Sequence, residues 1–171
     1  MNVIMTERSD PEALYALIRL VRPLYKVLEA AVALELAPTG IGVSQRAVLE
    51  RLLDGGPMTV PAIGRGLILP RQFIQKLANE LIAAGLVEKR GNAAHKRSPL
   101  LCLTAEGAAL IRAVRARETE VMAPVARDLA AEEVATARAV MAAVIRDFTA
   151  HNAARAAERA AHAAEREGIQ L

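Results

Sequence analysis

Apolar residues recur at helical spacing along most of this chain, and the pattern breaks where glycine or proline intervenes. Asp10 and Pro11 supply a cap and a first-turn proline, after which Leu14, Leu17, Ile18, Val21, Leu24, Leu28 and Val32 share a helical face. Pro23 lacks an amide proton, so this first helix should bend or divide near Val21. Residues 37–43, APTGIGV, predict a loop, and Ser44 is placed to cap a second helix with Val48, Leu49, Leu52 and Leu53 inward. Gly55, Gly56 and Pro57 end it. Thr59 caps a short third helix with Pro61 in its first turn and Ile63 and Leu67 inward. A tight connection at Ile68 and Leu69 leads to Pro70, which starts a fourth helix. There Ile74, Leu77, Ala78, Leu81 and Ile82 fall on one face, and Gly85 supplies a left-handed stop.

Beyond Gly85 the period shortens. Leu86–Arg90 and Leu100–Leu103 read as two short strands, and the nine residues between them, GNAAHKRSP, are too polar and too long for a tight turn. They should project as a wing. Thr104 caps a fifth helix carrying Leu110, Ile111, Val114, Val121, Met122 and Val125, with Pro124 late in it. Asp128–Glu133 form a turn before a sixth helix through Val134, Met141, Val144, Ile145 and Phe148. Residues 149–167 offer only alanine among charged, polar and histidine residues. Alanine propensity and the Arg155–Glu158 and Glu158–His162 spacings can sustain a helix there, either solvated or clasped by a partner chain. The fold class is mainly α with a small β-hairpin wing.

Composition narrows the options. A chain of 171 residues suits one domain or two small lobes. Aromatics at 2% argue against a sandwich and against a stacking platform for single-stranded nucleic acid. One cysteine excludes an internal disulfide framework and favours a reducing cytoplasm. The opening MNVIMTERSD turns acidic before any apolar run, unlike a signal peptide, and no apolar stretch approaches the ~20 residues of a membrane span. A soluble cytoplasmic protein is the expectation. Charge is unevenly placed: residues 59–104 hold Arg65, Arg71, Lys76, Lys89, Arg90, Lys96 and Arg97 against Glu80 and Glu88, a net +5 in a chain of net +3. A basic module in an otherwise mildly acidic chain is what phosphate neutralisation on duplex DNA requires.

With its apolar face inward, the fourth helix turns Arg71, Gln72, Gln75, Lys76 and Asn79 outward. Arginine pairs bidentately with guanine and glutamine with adenine, so Arg71, Gln72 and Gln75, near the helix start, are candidates for reading base edges. Lys76 and Asn79 lie further along and suit phosphates. A solvated polar face is the bland alternative, weakened by the basic wing that follows. Phe73 either packs against the third helix or touches a thymine methyl. His95, Lys96 and Arg97 form the wing tip, where an arginine can enter a narrow minor groove. Arg65, Arg46 and Arg90 are further candidates for phosphate contact. Cys102, between Leu101 and Leu103 on a strand, reads as buried and inert rather than as a redox sensor. His95, His151 and His162 have no second ligand at metal spacing, and Gly64 and Gly66 lie in a helix with no preceding strand, so neither a metal nor a dinucleotide site is expected. No enzyme active-site motif is present and no cofactor is called for.

These elements, in this order, resemble the MarR family of winged-helix transcriptional regulators from about residue 11 to residue 148. The resemblance is carried by TVPAIGRGL, then PRQFIQKLANELIAAGLVEKR, then KRSPLLCLTAEG. The family ends its recognition helix in a Gly-Leu-Val type step, here Gly85, Leu86 and Val87, and enters the next helix through Leu-Thr-x-x-Gly, here Leu103, Thr104 and Gly107. Two positions depart from it: His95 stands where an Asp usually orients the wing arginine, here Arg97, and Leu69 and Pro70 replace the Ser or Thr cap of the recognition helix. The resemblance implies a dimerisation helix region at residues 10–43, a winged helix-turn-helix DNA-binding domain at 44–104, C-terminal dimerisation helices at 105–150, and an Ala/Arg/Glu-rich helical tail at 151–171. It further implies a homodimer that binds double-stranded DNA at a pseudopalindromic operator, in most cases as a repressor, and that answers a small-molecule effector. Tyr15, Tyr25, Arg22 and Arg46 are candidates for an effector pocket lined from the first, second and fifth helices, with the tyrosines favoured as packing residues instead. Competing classes are a winged-helix protein-interaction module without DNA-binding activity, a metal-sensing repressor, and a methyltransferase whose winged-helix region precedes a cofactor domain.

Overall fold

Caps and prolines set the helix boundaries. The structure, a computed structural model, describes residues 10–93, 95 and 97–168. Helix α1 spans Pro11–Arg19, with Asp10 extended before it and its carboxylate accepting the Glu12 N–H at 3.1 Å. Helix α2 spans Val21–Leu36, so the predicted division falls at Leu20. Pro23 is then the third residue of α2, where a backbone N–H would have no intrahelical acceptor, and the proline costs nothing there.

The expected loop at 37–43 contains a 3-10 turn, Ala37–Thr39, closed by Gly40 at φ 73°. Helix α3, Val43–Gly55, starts earlier than Ser44 allows: Gly42 is its N-cap, and Ser44 lies inside the first turn. Gln45 replaces the expected cap by accepting the Gly42 N–H at 2.8 Å. Helix α4, Val60–Leu67, is capped as predicted, with Thr59 Oγ1 accepting the Ala62 N–H at 3.3 Å. Helix α5, Arg71–Ala83, follows Pro70, which is its N-cap rather than its first residue and makes no side-chain cap bond.

Strand β1, Val87–Arg90, pairs antiparallel with β2, Leu100–Leu103, in the register Val87↔Leu103 to Arg90↔Leu100. Met58 adds one bridge on the other side of β2, its N–H donating to the Leu101 carbonyl at 3.1 Å and its carbonyl accepting from Leu101 at 2.8 Å. Helix α6 covers Ala105–Arg127, and helix α7 covers Ala131–Gly168, entered through the Ala130 N–H donating to Glu133 at 2.8 Å. No single helix among the described residues is long and apolar enough to cross a membrane.

The core collects Leu36, Val48, Leu49, Leu52, Ile63, Ile74, Leu81, Leu101, Ile111 and Val114 from α2 to α6. Two glycine-containing steps meet at one joint beneath the wing. Thr104 Oγ1 donates to the Gly85 carbonyl at 2.8 Å and accepts the Gly107 N–H at 3.0 Å, while the Thr104 N–H donates to the Leu86 carbonyl at 3.1 Å. A Cβ at Gly107 would stand 2.0 Å from that Leu86 oxygen, so only glycine permits the approach. Cys102 is buried in β2, as expected.

Polar contacts tie α6 to α3. Glu118, only 7% exposed, accepts from Arg46 Nε at 3.0 Å and also from Arg46 Nη2. Arg46 lies 3.4 Å from Glu50, which accepts from Arg115 Nε at 2.7 Å, and Arg115 reaches Asp54 at 2.6 Å. Five charges thus alternate in sign, and the carboxylates of Asp54 first and Glu50 second raise the Arg115 pKa above its ordinary value. Arg46 is therefore a structural ion pair here, not the exposed phosphate contact its sequence position suggested.

The chain divides into two compact units, Met1–Val121 and Met122–Leu171. In the second, Met122, Val125, Leu129, Val134, Met141, Ile145 and Phe148 are all exposed, and the Phe148 ring meets the His151 ring edge-on at 6.5 Å. Arg155 and Glu158 pair at 3.2 Å along the tail helix.

Candidate nucleic-acid interface

Helix α4, the left-handed turn at Ile68, and helix α5 form the helix-turn-helix. Leu69 closes the turn by donating to the Gly64 carbonyl at 2.9 Å. The buried residues Ile74, Leu77, Ala78 and Leu81 fix the roll of α5 and leave Arg71, Gln72, Lys76 and Asn79 exposed. Gln75, half-buried, donates to Asn79 Oδ1 at 3.0 Å, one helical turn on. Phe73 is 38% exposed, so its ring is not sealed in the core.

The wing is closed at its base by Asn92 Nδ2 donating to the Ser98 carbonyl at 2.9 Å. Above that, the His95 N–H donates to the Asn92 carbonyl at 3.2 Å and the Ser98 N–H to the His95 carbonyl at 2.9 Å. His95 and Arg97 are exposed on it; Lys96 lies outside the described residues.

Ion pairing sorts the cations of this segment. Arg90 is taken by Glu88, donating from Nε at 2.8 Å, and its pKa is raised by that contact. Lys76 faces Glu80 at 4.0 Å, the carboxylate that also accepts from Gln45 at 2.9 Å. Both acidic residues are thereby used. Among the described residues, Arg65, Arg71, Lys89 and Arg97 have no carboxylate partner. Three of these four, with Gln75 and Ser98, line one hollow of about 90 Å³ between the start of α5 and the base of the wing. Arg65 stands apart, exposed in the last turn of α4.

Lys89 was passed over in the sequence, where Arg90 looked the better candidate. Strand alternation held the signal: Val87 faces the core, so Lys89 shares that side, while Glu88 and Arg90 pair on the other.

A larger open cleft of about 550 Å³ lies against Thr39, Ile41, Leu86, Glu106 and Leu110. None of Tyr15, Tyr25, Arg22 or Arg46 lines it. Tyr15 and Tyr25 are not packing residues within the chain either: both are exposed, and the Tyr25 hydroxyl donates to Glu29 at 2.8 Å. No group of histidine, cysteine and carboxylate side chains among the described residues could hold a metal ion.

Known proteins match this arrangement. Residues 39–98, which contain the helix-turn-helix and most of the wing, fit the model of the MarR family. Over 60 residues the chain is 43% identical to uncharacterized proteins of Mycobacterium bovis and Mycobacterium tuberculosis, a match covering 35% of this chain and 42% of those relatives. The matched stretch is thus less than half the length of those curated relatives. Among solved structures, that of MepR from S. aureus in its DNA-binding conformation shares the fold, with a TM-score of 0.70 at 19% identity, over 76% of this chain and 96% of that one. A crystal structure of a MarR family transcription regulator aligns over 81% of this chain and 91% of its own length, with 35% identity and a TM-score of 0.70. That relative, 35% identical and matched over 91% of its own length, fixes the assignment: the chain belongs to the MarR family of DNA-binding transcription regulators, which are not enzymes.

Proposed function

We propose that the chain acts as a homodimeric repressor that reads a pseudopalindromic operator and releases it in response to a small molecule. The observation that carries the DNA reading is the sorting of charge in residues 59–104, where both carboxylates are occupied and, among the described residues, four cations have no carboxylate partner. Helix α5 enters the major groove with Gln72 and Gln75 at base edges and Lys76 and Asn79 toward the backbone. The wing, with His95, Lys96 and Arg97, reaches the flanking minor groove, and Arg65 meets a neighbouring phosphate.

Exposed apolar surface supports the dimer. Of nineteen large hydrophobic side chains exposed among the described residues, nine lie between Tyr15 and Leu34 and eight between Val121 and Phe148. A soluble monomer rarely leaves so many uncovered, and a second copy is the partner the family resemblance implies. Residues 10–43 and 105–150 then form the dimerising base and the 44–104 heads carry the DNA contacts; of the 151–171 tail, the described residues, to Gly168, belong to α7. Two heads related by a two-fold axis read half-sites about one helical turn apart. The open cleft beside Thr39 and Leu110, mostly apolar with Glu106 at its edge, is where a small effector fits.

A mobility-shift series across salt, using DNA from upstream of the gene and a random duplex of equal length, tests the reading. Affinity should fall steeply with salt and favour the upstream duplex. Flat salt dependence, or equal affinity for both duplexes, would remove specific recognition and leave a protein-interaction module.

A further inference from the structure

Bringing like charges together is unfavourable unless an anion joins them. Arg71, Lys89 and Arg97 come from a helix, a strand and the wing, yet all three line the same small hollow. None of the nine residues lining it is acidic, although Glu80 and Glu88 stand on the same elements and neutralise other cations instead. The hollow measures about 90 Å³. That is the space of about three waters, which suits a phosphate group rather than a nucleobase. Its frame is stiff: Pro61 and Pro99 contribute to the wall, Lys89 is held in register opposite the buried Leu101, and Ser98 is fixed through the Asn92 bond to its carbonyl.

We propose that Lys89, Arg71 and Arg97 form a seat for one phosphate of the DNA backbone at the junction of the wing and the recognition helix. The inference rests on the duplex-binding reading above and adds to it a residue and a division of labour. Lys89 supplies a compact point charge from the rigid strand, and the two guanidinium groups supply planar donors on either side. Arg71 is thereby committed to the backbone, and so is Arg97, which the seat withdraws from the minor-groove role given to the wing above. Base discrimination falls to Gln72 and Gln75, and the seat sets how deeply α5 enters the groove.

Neighbouring residues on β1 provide the test. Lys89→Gln and Arg90→Gln change the net charge equally, but only Lys89 lines the hollow, whereas Arg90 is paired with Glu88. Salt series on the full chain should show the slope for Lys89→Gln reduced by about one per head, hence by about two for a homodimer on its operator. Between 50 and 200 mM salt, that corresponds to a roughly twelvefold smaller loss of affinity, the share of two phosphate contacts. The reduction should be the same on the upstream and random duplexes, and Arg90→Gln should keep the wild-type slope. Arg71→Gln should weaken both duplexes by the same factor. Equal slopes for the two β1 variants overturn the seat while leaving DNA binding intact, as does an Arg71→Gln variant that loses its preference for the upstream duplex. Failure of the wild-type protein to bind either duplex overturns the seat and the DNA reading together.

Discussion

The winged head and the helices outside it place their apolar residues in opposite ways. In α3, α4 and α5 the large apolar residues point into one core, where Val48, Leu49, Ile63, Ile74 and Leu81 are sealed from solvent, and only Ile68 and Phe73 remain exposed. In α1, α2 and the stretch from Val121 to Phe148, equally regular apolar faces stay open to water. The patterns are indistinguishable as sequence, since both recur at helical period. The difference is whether this chain supplies the opposing surface. The head's apolar residues are covered within this chain, whereas the open faces outside it are left for the second copy proposed above.

The largest effect should follow from charging the open faces. Leu28→Glu or Ile145→Glu alters a side chain already exposed in the single chain, so for a monomer the change should stay within about 0.5 kcal/mol. With a homodimer, either variant should sediment as a monomer and lose operator affinity by at least about a hundredfold, because linkage of two half-sites is gone. Sedimentation equilibrium with a parallel mobility shift reads both. A dimer that survives both substitutions breaks the contrast between the two regions.

The same contrast explains how much of the molecule was legible in its sequence. The capping residues Asp10 and Thr59, the break before Pro23, the stop at Gly85 and the hairpin strands depend on a few neighbouring residues, so local chemistry reveals them. Ser44 failed as a cap because Gln45 reaches back to Gly42 and starts α3 earlier, a competition between adjacent candidates that propensity does not settle. Arg46 was misread for a different reason. Its partner Glu118 is 72 residues away and is met only once α6 packs on α3. Charge counting found the basic module, but which cations stay unpaired depends on strand facing and on contacts across the fold, and these separate Lys89 from Arg90. Tyr15 and Tyr25 looked like core because an apolar helical face does not reveal which chain covers it.

A smaller effect should come from within the head. Gly107→Ala would push a methyl group to 2.0 Å from the Leu86 carbonyl oxygen, which cannot swing away without losing the Thr104 N–H. Helix α6 must shift from the joint, at a cost of about 3 kcal/mol by the measure of an overpacked core. Chemical denaturation measures it, with Gly91→Ala as the control, since nothing lies within 4 Å of a Cβ there. If α6 carries the head as a separate folding unit, the loss should not depend on protein concentration, unlike the loss from charging Ile145.

The smallest effect tests the exception to the contrast. Ile68 is 67% exposed and sits at φ 55°, a left-handed conformation that a β-branched residue adopts only under strain. The turn imposes it, because Leu69 must donate back to Gly64 for α5 to follow α4 closely. Asparagine tolerates that region, so Ile68→Asn should stabilise the fold by about 1 kcal/mol, read as a higher denaturation midpoint with an unchanged slope. Ile68 lies in the turn between α4 and α5, outside the exposed sets of Tyr15–Leu34 and Val121–Phe148, so the variant should keep the oligomeric state of the wild type. A monomeric Ile68→Asn protein would extend the pairing surface into the head, and the boundary between a self-sufficient reading unit and a partner-dependent base would have to be redrawn.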